Sequence, residues 1–184
     1  MTAIAVIDNG GQFTHLEQRA LRDLGVAVTL VDNAVAPETV EADGIVLSGG
    51  PDIDAIGQAP AYLERSVPVL GICLGMQIMA VAHGGAVGPG EYGGYADVTV
   101  EVTDPDDPIV GPLAPETRVW ASHADEVTEV PAGFHVTATS AVCPIEAMSD
   151  PERMQYGVQW HPEVAHTDEG DAVFEHFIQV CDAT

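Results

Sequence analysis

Apolar runs alternate with helical spacing through the first half of the chain. Ile4–Ile7 is a β-branched run halted by Asp8-Asn9-Gly10-Gly11, a turn signal. Phe13, Leu16, Ala20 and Leu24 then recur at helical spacing, and Gly25 stands where a helix stop is expected. Ala27–Val31 predicts a second strand, and Gly44–Leu47 a third that Ser48-Gly49-Gly50-Pro51 stops. A helix around Ala59–Arg65 leads to a fourth strand, Val67–Ile72, and the pattern from Leu74 to His83 is helical again.

Continuous apolar strands that alternate with helices imply a parallel sheet covered on both faces. In the second half, alternation at Asp97–Thr103, Arg118–Ala121, His135–Thr139, Ile145–Met148 and Gly157–Trp160 predicts further strands. A last helix, Gly170–Cys181, places Val173, Phe174, Phe177, Ile178 and Cys181 on one face. The expected fold is α/β: a mostly parallel central sheet flanked by helices on both faces. A smaller antiparallel or mixed strand region is expected in the second half. No repeat or linker divides residues 1–184, so one domain is expected.

Charge narrows the function classes. The chain carries 29 Asp plus Glu against five basic residues, all arginine, for a net charge of −24. Five dispersed arginines build no basic patch, which excludes nucleic-acid and anionic-membrane binding. With 46% apolar residues the chain is not a disordered acidic tail. Such self-repulsion is quenched near 1 M salt, where the Debye length falls to about 3 Å, so a salt-rich cytoplasm is expected. Cys73, Cys143 and Cys181 are an odd count without a CxxC pair, so neither a disulfide framework nor a zinc ribbon is supported. Met1–Gly11 lacks the positive n-region of a secretory signal. The uncharged stretch Ser66–Gly90 holds six glycines and two prolines and reads as a buried strand running into a helix, not as a membrane span. A soluble, cytoplasmic protein is expected.

Gly71-Ile72-Cys73-Leu74-Gly75 stands at the junction of the fourth strand and its helix. It matches the strand–turn–helix context of a nucleophile elbow, with Cys in the place of Ser. Small residues two positions either side are what such a turn requires, because the nucleophile's backbone is strained by about 1–3 kcal/mol. The helix N-terminus supplies donors and positive partial charge to a thiolate. The competing reading is a small buried hydrophobe, the usual fate of a free Cys. Cys143 and Cys181 lack this context and read as structural.

A thiol needs a base. His161 in Trp160-His161-Pro162-Glu163 follows a predicted strand, and the proline biases it to an extended backbone. Residues i and i+2 of an extended segment point to one side, so the Glu163 carboxylate can reach the His161 imidazole. That is the third-group role of a triad. His161, Glu163 and His166 do not reproduce HExxH, and no metal site is expected. His15 and His176 read as polar-face residues of helices, His83 as a helix end, His135 as a strand residue, and His123 and His166 as loop residues.

Ser48-Gly49-Gly50-Pro51-Asp52 resembles the start of a pyrophosphate loop, but Ile53 replaces the expected Ser and Pro51 has no N–H to offer. Nucleotide binding is therefore rejected there. The amides of Gly49 and Gly50, at the end of a parallel strand, suit stabilisation of an oxyanion near Cys73 instead.

Three motifs together resemble the class I, triad-type glutamine amidotransferases over essentially the whole chain: Leu47-Ser48-Gly49-Gly50-Pro51, Gly71-Ile72-Cys73-Leu74-Gly75-Met76-Gln77, and Tyr156-Gly157-Val158-Gln159-Trp160-His161-Pro162-Glu163. Within that family, Asp8-Asn9-Gly10-Gly11-Gln12, Gly90-Glu91-Tyr92-Gly93-Gly94-Tyr95-Ala96 and Ser122-His123-Ala124-Asp125 are most similar to the glutaminase of GMP synthases, in the form that archaea encode as a separate small subunit. The resemblance implies that Cys73 attacks the side-chain amide of L-glutamine and forms a thioester. It implies that His161 carries the proton and Glu163 orients it, with the amides of Gly50 and Leu74 as oxyanion hole. Gly49, Gln77, Ser122 and His123 are implied to hold the substrate. Met76 stands where many relatives have His, and Ala124 where many have Gly; neither belongs to the triad.

The resemblance also implies a division of labour. No cofactor is expected on this chain. ATP and Mg²⁺ are expected on a partner, an ATP-pyrophosphatase that adenylates xanthosine monophosphate and receives the ammonia, in a heterodimer. The polar stretches Glu91–Asp97 and Ser122–Glu126 are candidates for partner contact, with plain solvated loop as their other reading. Two other functions stay open: the same hydrolysis serving another acceptor, such as chorismate or carbamoyl phosphate, and a non-catalytic glutamine-binding regulatory subunit.

Overall fold

The structure, a computed structural model, describes residues 1–92 and 96–184. Its elements in chain order are β1 (Ala3–Asp8), α1 (Thr14–Asp23), β2 (Ala27–Asp32), β3 (Gly44–Leu47), β4 (Val69–Ile72), α2 (Leu74–Ala82), β5 (Ala86–Val102), β6 (Glu116–Glu129), β7 (His135–Ser140), β8 (Ala147–Asp150), β9 (Gln155–Val158) and α3 (Gly170–Asp182). All the strands join one sheet in the order β2-β1-β3-β4-β9-β8-β7-β5-β6. From β2 to β9 the pairings are parallel; from β9 to β6 they are antiparallel. The antiparallel region expected of the second half is thus a continuation of the same sheet.

The period of two along β1 explains the layers. Ile4 and Val6 face one side, under α1 and α3, where Leu21, Val173, Phe174 and Phe177 close the core. Ala5 and Ile7 face the other, with Tyr62, Met76 and Met79 of α2 and its neighbouring turn. Phe174 and Phe177 are fully buried, each burial contributing about 1.5–3 kcal/mol. α3 sits so close to β3 that a Cβ at Gly44 would lie 2.4 Å from the Cys181 sulfur. Cys181 is a packing residue, as its helical position suggested.

Several boundaries differ from the sequence reading. The helix expected around Ala59–Arg65 is a 3-10 turn, Ala59–Glu64, with a proline at its start and the Tyr62 hydroxyl donating to Val35 O at 3.0 Å. β4 begins two residues late because Pro68 has no N–H for the ladder; its carbonyl instead accepts from Ile45 N at 2.9 Å. β8 and β9 start and end two residues away from their apolar runs. The polar ends Asp150 and Gln155 pair with each other across the two strands. β5 and β6 are much longer than the alternation at Asp97–Thr103 and Arg118–Ala121 implied. The described residues of Glu91–Asp97, and Ser122–Glu126, lie within these strands and not in loops. Gly93, Gly94 and Tyr95 of the first stretch lie outside the described residues.

Candidate active site

The parallel strands β1, β3, β4 and β9 end at the same edge of the sheet, so the segments that follow them meet there. The β1 and β3 loops interlock. Asn9 donates its backbone N–H to Ser48 Oγ at 2.9 Å and its side-chain amide to Ser48 O at 3.0 Å. A Cβ at Gly11 would lie 2.5 Å from Gly49 O, so only glycine permits this approach. Gly10, at φ +79°, supplies the left-handed turn that starts the loop.

Cys73 stands between β4 and α2 at φ 52°, ψ −106°. A non-glycine residue with positive φ at this position marks stored backbone strain. The strain is held by its neighbours: Cys73 N donates to Val158 O at 2.8 Å. A Cβ at Gly71 would fall 2.6 Å from Gly75 C, and one at Gly75 would fall 2.1 Å from Leu47 O. The two small residues are therefore a steric requirement of the turn, which bears out the elbow geometry.

The imidazole faces this thiol from the segment after β9. His161 N donates to Trp120 O at 3.0 Å, and His161 O accepts from Thr167 Oγ1 at 2.6 Å, which fixes the backbone on both sides of the ring. The ring packs edge-on against Phe13, with centroids 5.2 Å apart. Nδ1 of His161 is 2.6 Å from Glu163 Oε1, and the carboxylate is fully buried. Burial alone would lower the imidazole's pKa. Hydrogen bonds to Cys73 and Glu163, together with their charges, outweigh it and raise the pKa to about 10. The ring is accordingly an imidazolium at neutral pH.

Cys73 lies between two cavities. One, of about 340 Å³, is lined by the Gly10–Thr14 turn, Glu17, Gly49, Gly50, Cys73, His161 and Glu163, with Ser122 at its wall. The other, of about 200 Å³, lies against Gly50, Cys73, Leu74, Gln77, Ser122 and His123. All of the candidate residues read from the sequence therefore border one or both. Among the described residues, the N–H groups of Gly50 and Leu74 donate to no other protein group. The amide of Gly49 is not free. It donates to Glu17 Oε1 at 3.4 Å, which corrects the expectation that Gly49 and Gly50 offer a pair of open donors.

In the second cavity, Gln77 spends its amide N–H on Asp125 O at 2.9 Å and on Gln159 Oε1 at 3.3 Å. His123, expected in a loop, is a buried residue of β6. Its Nδ1 lies 3.1 Å from Asp125 O while Nε2 has no partner. Burial lowers its pKa, so the ring is neutral.

Two residues in contact with the site escape the sequence reading. Gln159, noted there only as part of a motif, donates from Nε2 to Cys73 Sγ at 3.4 Å. Glu17 is not singled out there at all, yet Thr14, Glu17 and Leu21 are the buried line of α1. The stripe Phe13, Leu16, Ala20 and Leu24 only flanks that line and is partly exposed. The only trace in the sequence is the helical spacing of Glu17 and Leu21, four residues apart on one face.

The remaining thiols stay out of the chemistry. Burial is the main effect that pushes Cys181 up to about 12 and Cys143 further still. Among the described residues no group of three or more His, Cys, Asp or Glu is placed to hold a metal ion, and no helix is long and apolar enough to cross a membrane.

Comparison with known proteins gives the family and the fold. The family model described as glutamine amidotransferase class-I matches residues 5–180. The glutamine-hydrolyzing GMP synthase subunit of Haloarcula marismortui is 70% identical over 182 residues, covering 99% of this chain and 96% of its own. The protein of the same name from Natronomonas pharaonis is 68% identical over 181 residues, covering 98% of each chain. A crystal structure from Thermoplasma acidophilum, of a protein assigned to the same GMP synthase subunit, superposes with a TM-score of 0.94 at 38% identity. It covers 100% of this chain and 95% of that one. A glutamine amidotransferase structure from Thermotoga maritima, at 18% identity and a TM-score of 0.74, covers 99% of this chain and 83% of its own and shares the fold.

Proposed function

The chain belongs to the class-I glutamine amidotransferases, and from that premise we propose that it is the glutaminase subunit of a two-subunit GMP synthase. One observation carries the reading: a cysteine on a strained elbow shares a cavity with an imidazolium that a buried carboxylate holds at 2.6 Å. A binding module has no use for that strain.

The chemistry follows from the charges. The Cys73 sulfur, facing the His161 imidazolium, attacks the side-chain carbonyl carbon of L-glutamine. The carbonyl oxygen becomes an oxyanion, for which the free N–H groups of Gly50 and Leu74 are the available donors. One such donor contributes about 2.7–4 kcal/mol in the transition state. As the C–N bond breaks, His161 gives its proton to the leaving nitrogen, which departs as ammonia, and a γ-glutamyl thioester remains on Cys73. His161, now neutral, takes a proton from water. The hydroxide adds to the thioester carbonyl, the C–S bond breaks, glutamate leaves, and the Cys73–His161 pair is restored. Glu163 keeps Nδ1 protonated throughout. Gln77, Ser122 and His123 border the second cavity, which suits the α-amino and α-carboxylate end of the substrate.

In this reading residues 1–184 act as one cytoplasmic glutaminase domain, and Gly49 supports the site without donating to the substrate. The ammonia passes to a partner of the ATP-pyrophosphatase type, which holds ATP, Mg²⁺ and xanthosine monophosphate, in a heterodimer. The names of relatives that cover nearly the whole chain support this acceptor over chorismate or carbamoyl phosphate. The test is reconstitution with the ATP-pyrophosphatase partner, ATP, Mg²⁺ and xanthosine monophosphate. Glutamine should replace free ammonia as nitrogen donor only when this chain is present. Amination from glutamine without it, or none with it, contradicts the proposal.

A further inference from the structure

Glu17 is 1% exposed, and neither Leu16 nor Gln18 beside it in α1 is buried to that degree. A carboxyl at such a place carries a desolvation cost unless something there uses it. Its Oε1 accepts from Gly49 N at 3.4 Å, and its Oε2 has no partner. It lines the cavity that holds Cys73, His161 and Glu163. The groups that face it are Glu163 and His161 from the segment after β9, Cys73 from the head of α2, and the Gly49 amide from the end of β3.

Gly49 is the hinge of this arrangement. A Cβ there would lie 3.3 Å from His161 Cε1 and 3.8 Å from Cys73 Cβ, so its backbone runs directly beside the reacting pair. Any rotation of the Gly49 peptide also turns Gly50, the next residue and a free donor. We propose that Glu17 is a positioning residue of the glutaminase centre: its carboxyl takes the Gly49 N–H, fixes that peptide, and so leaves the Gly50 N–H as the one presented to the oxyanion. The inference rests on the glutaminase function proposed above.

The protonation state of Glu17 makes the role compatible with the triad. Burial first, and then the charge of Glu163, hold this carboxyl well above the usual carboxylate range, against the Gly49 hydrogen bond and the charge of His161. A neutral Glu17 accepts the Gly49 hydrogen bond without setting a second anion beside the imidazolium. An ionised one would hold the proton on His161 more firmly and slow its delivery to the leaving ammonia. Turnover should therefore fall as rising pH ionises Glu17.

The test compares wild type, Glu17→Gln and Glu17→Leu, each with the partner present in molar KCl. Glutaminase kcat and KM are measured across pH, and the infrared difference spectrum of wild type against Glu17→Gln is recorded at neutral pH. Glu17→Leu, which has no acceptor, is expected to lose tenfold or more in kcat with KM changed less than about threefold. Glu17→Gln, which keeps the acceptor oxygen and cannot ionise, should recover most of that loss. It should also turn over faster than wild type at the alkaline end and lack one protonated-carboxyl band. Equal kcat for Glu17→Leu and wild type overturns the proposal, as does equal damage in both variants or no lost band. Should Glu17→Leu fail to fold, the pH profile and the infrared band of Glu17→Gln decide alone. Cys73→Ala, run alongside, separates the two levels: wild-type turnover in that variant removes the glutaminase function itself, whatever Glu17 does.

Discussion

The side-chain amide of Gln159 donates to the sulfur of Cys73 from 3.4 Å, joining the end of β9 to the head of α2. The same side chain accepts from Gln77 at 3.3 Å, so one buried amide ties the nucleophile to a wall of the second cavity. A hydrogen bond contributes about 0.5–1.5 kcal/mol net. Gln159→Leu removes both links, and kcat is expected to drop about tenfold while KM for glutamine rises. Steady-state kinetics check this; unchanged constants would show that the contact is incidental.

The elbow makes a stability prediction. The Cβ of Gly75→Ala would meet the backbone oxygen of Leu47 at 2.1 Å, and a backbone atom does not swing aside as a side chain does. Overpacking of this kind costs roughly 1–3 kcal/mol, here at the upper end. At about 2–4 °C per kcal/mol for a chain of this size, melting should fall by roughly 6–12 °C. Turnover should fall with it, because the head of α2 must shift. An unchanged melting temperature would mean that β3 and the elbow are less tightly packed than described.

Glu163→Gln tests the ion pair. The raised pKa of His161 stands at about 10 against an ordinary 6.5. Its contribution to stability is therefore full below pH about 6.5 and is lost as pH rises through about 10. The melting difference between wild type and Glu163→Gln should shrink steadily from pH 7 to pH 10. In turnover the variant should lose about 10²-fold or more. A melting difference constant with pH would place the origin of the raised pKa elsewhere.

Charge repulsion predicts salt dependence. The net charge is −24 with five arginines, and the ion pairs Arg19–Asp23 and Arg118–Asp168 are largely exposed and contribute little. Melting in molar KCl should lie well above melting in dilute buffer. Equal melting points would show that the acidic surface is not a source of instability.

The parts of the molecule that the sequence made legible are those that local chemistry decides. Ile4–Ile7, Gly44–Leu47 and the glycines around Cys73 announce strands and an elbow because burial on both faces leaves only apolar or small residues there. His161 and Glu163 are two apart on an extended segment, and their meeting is a local event. Glu17 and Gln159 were not legible because their roles depend on contacts between distant segments: Glu17 reaches Gly49 from 32 residues away and Gln159 reaches Cys73 from 86. The long β5–β6 pair was underestimated for a related reason. Its glycine-rich and charged residues read as loop, and ladder hydrogen bonds to a partner strand override that preference.

The most direct measurement is glutamine hydrolysis by wild type and Cys73→Ala in molar KCl, with the ATP-pyrophosphatase partner present. The sulfur is the one protein atom in the scheme that bonds covalently to the substrate. Glutamate release by the wild type and its reduction to background in Cys73→Ala is the predicted result. Undiminished release from a folded Cys73→Ala chain would contradict the account at its base.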